Sequence, residues 1–161
     1  MAMNNSILFL DVDGVLNNEA VFRSRKYGPA PLCPHCVARF HRLVAETDCR
    51  IVLSSAWRGM PTLERKLSRA GIFYRAHRDK RTVGLSGSDD RRGREIAEWL
   101  GRHPEIKTYA IVDDDGDMLP EQEPFFVQTS FKTGLLDEHV SRLIAILQTR
   151  ANGQHAAVKE D

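Results

Sequence analysis

Short apolar runs alternate along this chain with longer stretches in which apolar residues recur every three or four positions. Ile7-Leu8-Phe9-Leu10, Ile51-Val52-Leu53 at the end of Cys49–Leu53, and Ala110-Ile111-Val112 at the end of Thr108–Val112 are the clearest runs. Runs of this length, bounded by polar residues, predict strands buried on both faces. Phe125-Phe126-Val127 predicts a fourth strand, and Ile72 to Tyr74 a short one. Val37, Phe40, Leu43 and Val44 after Pro34 have the spacing of an amphipathic helix, as do Leu63, Leu67 and Ala70 between Pro61 and the C-cap candidate Gly71. Ile96, Ala97, Trp99 and Leu100 predict another helix, capped by Ser88 or Asp89, and Leu135 to Gln148 a last one. The polar segments Asn17–Pro31 and Arg78–Asp90 read as loops, the first with room for a short hairpin. Strands alternating with helices predict an α/β fold, a doubly wound parallel sheet with helices on both faces.

The chain's 161 residues suit one domain, expected over residues 1–150, and residues 151–161 lack apolar periodicity and read as a flexible C-terminal tail. With 23 basic against 22 acidic residues, the net charge of +1 gives no global pull toward nucleic acid or membrane. The basic residues are unevenly spread, however: Arg75, Arg78, Lys80, Arg81, Arg91, Arg92 and Arg94 crowd one stretch. No apolar run approaches the roughly 20 residues of a membrane span. Met1 to Ser6 is polar and carries no signal-peptide pattern. Three cysteines at irregular spacing fit a reducing compartment, and the expected location is the cytoplasm. Cys33-Pro34-His35-Cys36 supplies only half of a zinc-site pattern, and a packing role for its thiols is favoured.

Candidate chemistry gathers where the apolar runs end. The first stops at Asp11-Val12-Asp13-Gly14, the second at Ser54-Ser55-Ala56-Trp57-Arg58, and the third at Asp113-Asp114-Asp115-Gly116-Asp117. Residues two apart on a strand point the same way, and open parallel sheets place ligands at the carboxyl ends of their strands. Neighbouring carboxylates repel unless a cation or a shared proton compensates them, and clustered oxygen ligands suit Mg²⁺.

Ile7 to Asn17 resembles motif one of the haloacid dehalogenase (HAD) phosphatase superfamily, Asp-x-Asp-Gly-x-(Leu/Val/Thr), and the other motifs follow in order. The resemblance implies a capless HAD fold with no large cap domain, since only 40 residues separate Asp13 from Ser54 and 37 separate Ser54 from Arg92. It implies Asp11 as nucleophile forming an aspartyl-phosphate and Asp13 as general acid/base. Ser54, with Ser55 as the alternative, matches the phosphate-binding hydroxyl of motif two. Motif three usually supplies a lysine. Here Arg92 is the first choice, Arg94 the second, and Lys80 lies further back. The implied Mg²⁺ ligands are Asp11, the Asp13 main-chain carbonyl and Asp113, with Asp114 and Asp117 in or beside the ligand shell. Arg58 and Arg23 are further candidates for substrate contact, and Trp57 and Trp99 read as packing residues.

A closer resemblance is to the HAD domains of Swiss-army-knife RNA repair proteins, carried by Trp57-Arg58, by Arg92-Gly93-Arg94-Glu95-Ile96, by the triple Asp and by Gly134-Leu135. It implies a Mg²⁺-dependent phosphomonoesterase acting on a phosphorylated small molecule, a nucleotide or a nucleic-acid end, with no membrane and no obligate protein partner. The rival readings are a phosphoryl-accepting receiver or phosphotransferase domain, and a non-catalytic binding module of the same fold. Asp13 argues against a receiver, and the presence of Asp11, Asp13 and Asp113 together argues against a module that has lost its chemistry.

Overall fold

A computed structural model describes residues 5–87 and 89–156. The elements in chain order are β1 (Ser6–Leu10), α1 (Glu19–Arg23), α2 (Pro34–Thr47), β2 (Arg50–Leu53), α3 (Pro61–Arg69), β3 (Ala76–Arg81), α4 (Arg91–Arg102), β4 (Thr108–Asp113), β5 (Phe126–Gln128) and α5 (Asp137–Ala156), with 3₁₀ turns at Arg25–Tyr27 and Pro120–Phe125. The five strands form one sheet in the order β3-β2-β1-β4-β5, every pairing parallel.

β1 is central and buried along its whole length. Alternation divides its side chains between two cores. Leu8 and Leu10 join Phe40 and Leu43 of α2, Leu67 of α3 and Val140 and Leu143 of α5 on one face. Ile7 and Phe9 meet Ile96 and Trp99 of α4 on the other. Phe9 sits edge-on to Trp99 at 5.4 Å between ring centroids. Buried aromatic rings of this size each contribute about 3–5 kcal/mol by the cost of truncating them. Helices therefore cover both faces, and the carboxyl ends of β1, β2 and β4 emerge side by side. Between β1 and β2 the chain holds only α1, a 3₁₀ turn and α2, and between β2 and β4 only α3, β3 and α4. No segment is left over for a cap domain among the described residues.

The folded chain departs from several local expectations. Ile72 to Tyr74 is a turn: Ile72 is buried in the core, whereas Tyr74 is the most exposed of the large apolar residues. The fifth strand is instead Ala76–Arg81, which overlaps the expected loop. Its sequence, Ala-His-Arg-Asp-Lys-Arg, has no apolar alternation because it lies at the sheet edge, where charged side chains discourage pairing with another chain. Asn17–Pro31 is not a hairpin but contains α1, capped by the Asn18 side chain, which accepts from the Val21 amide. In α4 the N-cap position is Asp90 and not Asp89, and Ala97 is exposed. Ser88 lies outside the described residues. The last helix begins two residues later than expected and runs on to Ala156. The rest of the expected tail, 157–161, also falls outside the described residues.

Candidate active site

Asp11 continues β1, its amide donating to the Val112 carbonyl at 3.1 Å, so the β1–β4 ladder carries its carboxylate to the end of β4. There Asp11, Asp113 and Asp114 each offer a ligand oxygen, all within 4.8 Å of one another. Gly14 makes this crowding possible. Its φ of +79° is left-handed, and a Cβ there would come within 2.3 Å of Asp114 Oδ2. Asn17 holds the turn, accepting from the Gly14 amide at 2.8 Å and donating to Asp13 Oδ1 at 2.9 Å. Thr129, just past β5, donates its hydroxyl to the Gly14 carbonyl at 2.6 Å and its amide to the Asp113 carbonyl at 3.0 Å.

The trio is electrostatically strained without a cation. Burial, then the charge of Asp113, hold the Asp11 carboxyl well above the usual carboxylate range, with Arg92 opposing and Asp114 adding to the rise. Burial pushes Asp113 up to about 7 and raises Asp114 as well. Asp113 Oδ1 accepts the Asp115 amide at 2.9 Å, while Oδ2 is buried without a hydrogen-bond donor. A carboxylate oxygen so placed, in an all-oxygen set, fits a hard divalent cation such as Mg²⁺.

Asp13 stands apart from the trio. Trp57 Nε1 donates to both of its oxygens at 3.2 Å, a role the sequence reading missed by treating Trp57 as packing alone. The carboxylate is thus fixed between Asn17 and Trp57, half-buried and not part of the acidic trio. At the end of β2, Ser54 is fully buried, and its hydroxyl finds no partner among the described residues. Ser55 Oγ, in contrast, accepts the Trp57 amide at 3.1 Å and shapes the turn. Ser54 is the hydroxyl left available for a ligand.

α4 delivers the basic residue. Arg92 Nε meets Asp113 Oδ2 at 3.3 Å as an ion pair without hydrogen-bond alignment, and its Nη1 donates to Glu95 Oε2 at 3.3 Å. Arg94 turns the other way, pairing with Asp90 at 2.9 Å and donating to the Ser86 carbonyl. Lys80 lies over the Phe73 ring, and Arg23 is exposed and paired with Glu19. Arg58 is held at the site's edge by Glu95 at 3.1 Å and by the Ser54 and Ser55 carbonyls.

Glu95 is a second residue given no role by the sequence reading. It is almost completely buried and accepts from Arg58, Arg92 and the Leu85 amide. Removing one partner of a buried ion pair leaves an uncompensated charge, so Glu95 fixes two arginines that would otherwise repel each other. Asp117 is expected in or beside the ligand shell. Its side chain accepts the Arg92 amide at 3.2 Å and its carbonyl accepts that of Gly93, so it caps α4 and is not part of the acidic trio.

The cysteines pack in the core, with the Cys36 thiol pushed up to about 12 chiefly by burial. A second group of potential ligands, His77, His103 and Glu105, lies toward the amino ends of the strands beside a cavity of about 340 Å³. Three of its four ring nitrogens already have partners: His77 Nδ1 accepts the Asp79 amide, and the two nitrogens of His103 meet Asp79 and Glu105. No helix among the described residues is long and apolar enough to cross a membrane.

No curated protein and no solved structure matches the chain. One family does, and it matches residues 7–140, from the start of β1 into α5. That stretch contains the acidic trio, Asp13, Ser54, Arg92 and Glu95, and covers most of the sequence. The chain belongs to the family described as the HAD domain in Swiss Army Knife RNA repair proteins.

Proposed function

We propose that the protein is a Mg²⁺-dependent phosphomonoesterase acting on a phosphorylated nucleotide or nucleic-acid end. The observation that carries this reading is the meeting of Asp11, Asp113 and Asp114 at the strand ends, with Arg92 paired to Asp113 and the unpartnered Ser54 hydroxyl nearby in the sheet. The family's description as part of RNA repair proteins supports the substrate class.

In this reading Asp11 attacks phosphorus and displaces the alkoxide, forming an aspartyl-phosphate. Asp13 protonates the leaving oxygen, then takes a proton from the water that hydrolyses the acyl phosphate. Its separate anchoring by Trp57 and Asn17 suits a group that must exchange protons without binding metal through its side chain. Ser54 and Arg92 hold the phosphoryl oxygens. Asp11, Asp113, Asp114 and the Asp13 main-chain carbonyl would hold Mg²⁺, which supplies charge neutralisation between the anionic nucleophile and the phosphate. A receiver domain has no use for a second carboxylate two residues after the nucleophile.

The test is release of inorganic phosphate from nucleotides, sugar phosphates, phosphopeptides and 3′- or 5′-phosphorylated oligonucleotides. Turnover should need Mg²⁺, vanish with EDTA and be fastest on the nucleic-acid ends. No release from any of them would remove the reading. Trp57→Phe tests the anchoring of Asp13. A hydrogen bond to a charged group contributes about 1.5–3 kcal/mol, so hydrolysis should slow roughly tenfold or more with the Mg²⁺ requirement unchanged. An unaltered rate would reduce Trp57 to packing.

Metal and pH are linked. Because Asp113 rises to about 7 in the folded, metal-free protein, the native state binds more protons than the unfolded chain between the ordinary carboxylate range and that value. Metal-free stability should therefore fall as pH rises through about 7. Mg²⁺ replaces those protons, so the rise in Tm that it produces should be larger at about pH 8 than at about pH 6. Equal shifts at both pH values would place the metal elsewhere.

A further inference from the structure

Phe22 and Phe131 are exposed aromatic side chains on two segments that adjoin the turn carrying Asp13. They are 44% and 42% exposed, and their rings lie 5.4 Å apart at an interplanar angle of 42°. Two segments that build the site hold them there. The Phe131 carbonyl accepts the Glu19 amide at 2.9 Å, and Asn18 Nδ2 donates to the Thr133 carbonyl at 3.1 Å, clasping α1 to the segment after β5. Phe131 follows Thr129 by two residues, at most about 7 Å of chain, and Thr129 holds the Gly14 carbonyl of the Asp13 turn. Phe22 is on α1, whose cap Asn18 adjoins the Asn17 that bonds Asp13. The aromatic pair is thus tied from both sides to the turn carrying the proposed acid/base.

The surroundings are cationic. Residues 19–26 and 129–133 contain Arg23, Arg25, Lys26 and Lys132 against the single carboxylate Glu19, and all four basic side chains belong to exposed residues. Exposed rings beside a run of cations favour a polyanion that carries flat apolar groups, because bases stack on the rings while phosphates meet the charges. The pair's mutual packing leaves part of each ring exposed, so each can take a base without repacking the core.

We propose that Phe22 and Phe131 form a stacking subsite for the terminal base of a phosphorylated single-stranded nucleic acid, with Arg23, Arg25, Lys26 and Lys132 guiding its backbone. The proposal rests on the phosphatase reading above and names the substrate it takes. The test uses Asp11→Asn protein with Mg²⁺, which binds without turnover, and a short single-stranded RNA carrying a terminal phosphate and a fluorescein at its other end. Phe22→Ala and Phe131→Ala should each weaken binding about tenfold. Phe→Leu at the same positions should weaken it nearly as much, since leucine keeps apolar bulk but cannot stack. Replacing Lys132 with Ala should lower the slope of log affinity against log salt by about one. In the active enzyme the same Phe variants should lose far more on the RNA than on a small aryl phosphate. Affinity that survives both alanine variants, or that leucine fully retains, overturns the subsite while leaving the phosphatase reading standing. So does a pair whose loss only abolishes self-association in sedimentation. No hydrolysis of any ester by wild-type protein would instead remove the phosphatase reading, and the RNA-binding measurement would still decide the subsite.

Discussion

Asp11→Asn should abolish phosphate release, by on the order of 10⁴-fold or more, and leave the fold intact. The amide cannot form the acyl phosphate, and nothing else in the site replaces it: Asp13 is held away by Trp57 and Asn17, and Asp113 is engaged by the Asp115 amide and Arg92. The same change removes one of three clustered, mutually repelling carboxylates, the one whose pKa is raised by burial and by Asp113. The metal-free variant should therefore unfold at a temperature no lower than wild type at about pH 8, and Mg²⁺ should stabilise it less. Circular dichroism melts with and without Mg²⁺, alongside the phosphate assay, check both halves. A folded variant with substantial activity would remove covalent catalysis through Asp11.

Arg92→Ala should cost about 10²–10³-fold in turnover, the scale of losing one preorganised group that stabilises developing charge. Arg94→Ala should cost little. The contrast follows from geometry: Arg92 is nearly buried between Asp113 and Glu95, whereas Arg94 pairs with Asp90 on the surface of the same helix. Arg92→Lys should recover part of the loss, since lysine restores the charge but not the fork that bridges two carboxylates. Steady-state kinetics on the best substrate decide it. Equal losses at both arginines would show that the phosphate lies further along α4 than Arg92.

The legible parts of this protein were those in which one physical requirement dominates the local sequence. β1, β2 and β4 are buried on both faces, so they read as unbroken apolar runs. α2 and α4 each bury one stripe, so their apolar positions recur with helical spacing. The acidic trio was legible because carboxylates rarely end a buried strand without a partner. β3 was hidden because an edge strand is selected for charge, and Ile72 misled because a turn residue can fill the core as well as a strand residue can. Trp57 and Asp117 were hidden for another reason: their roles are contacts between segments more than 20 residues apart, and no local pattern encodes them. Glu95 lay in plain view within the motif-three stretch, but only the folded chain brings Arg58 to it from the end of β2.

Covalent catalysis turns on where the phosphoryl group goes. Wild-type protein turning over a labelled phosphate ester in Mg²⁺ should be quenched in acid, digested and mapped. Acid-stable, hydroxylamine-sensitive label is expected on the peptide containing Asp11 and is absent from Asp11→Asn. Undiminished turnover with label on another residue, or with no label on the protein at any quench time, would contradict covalent catalysis through Asp11.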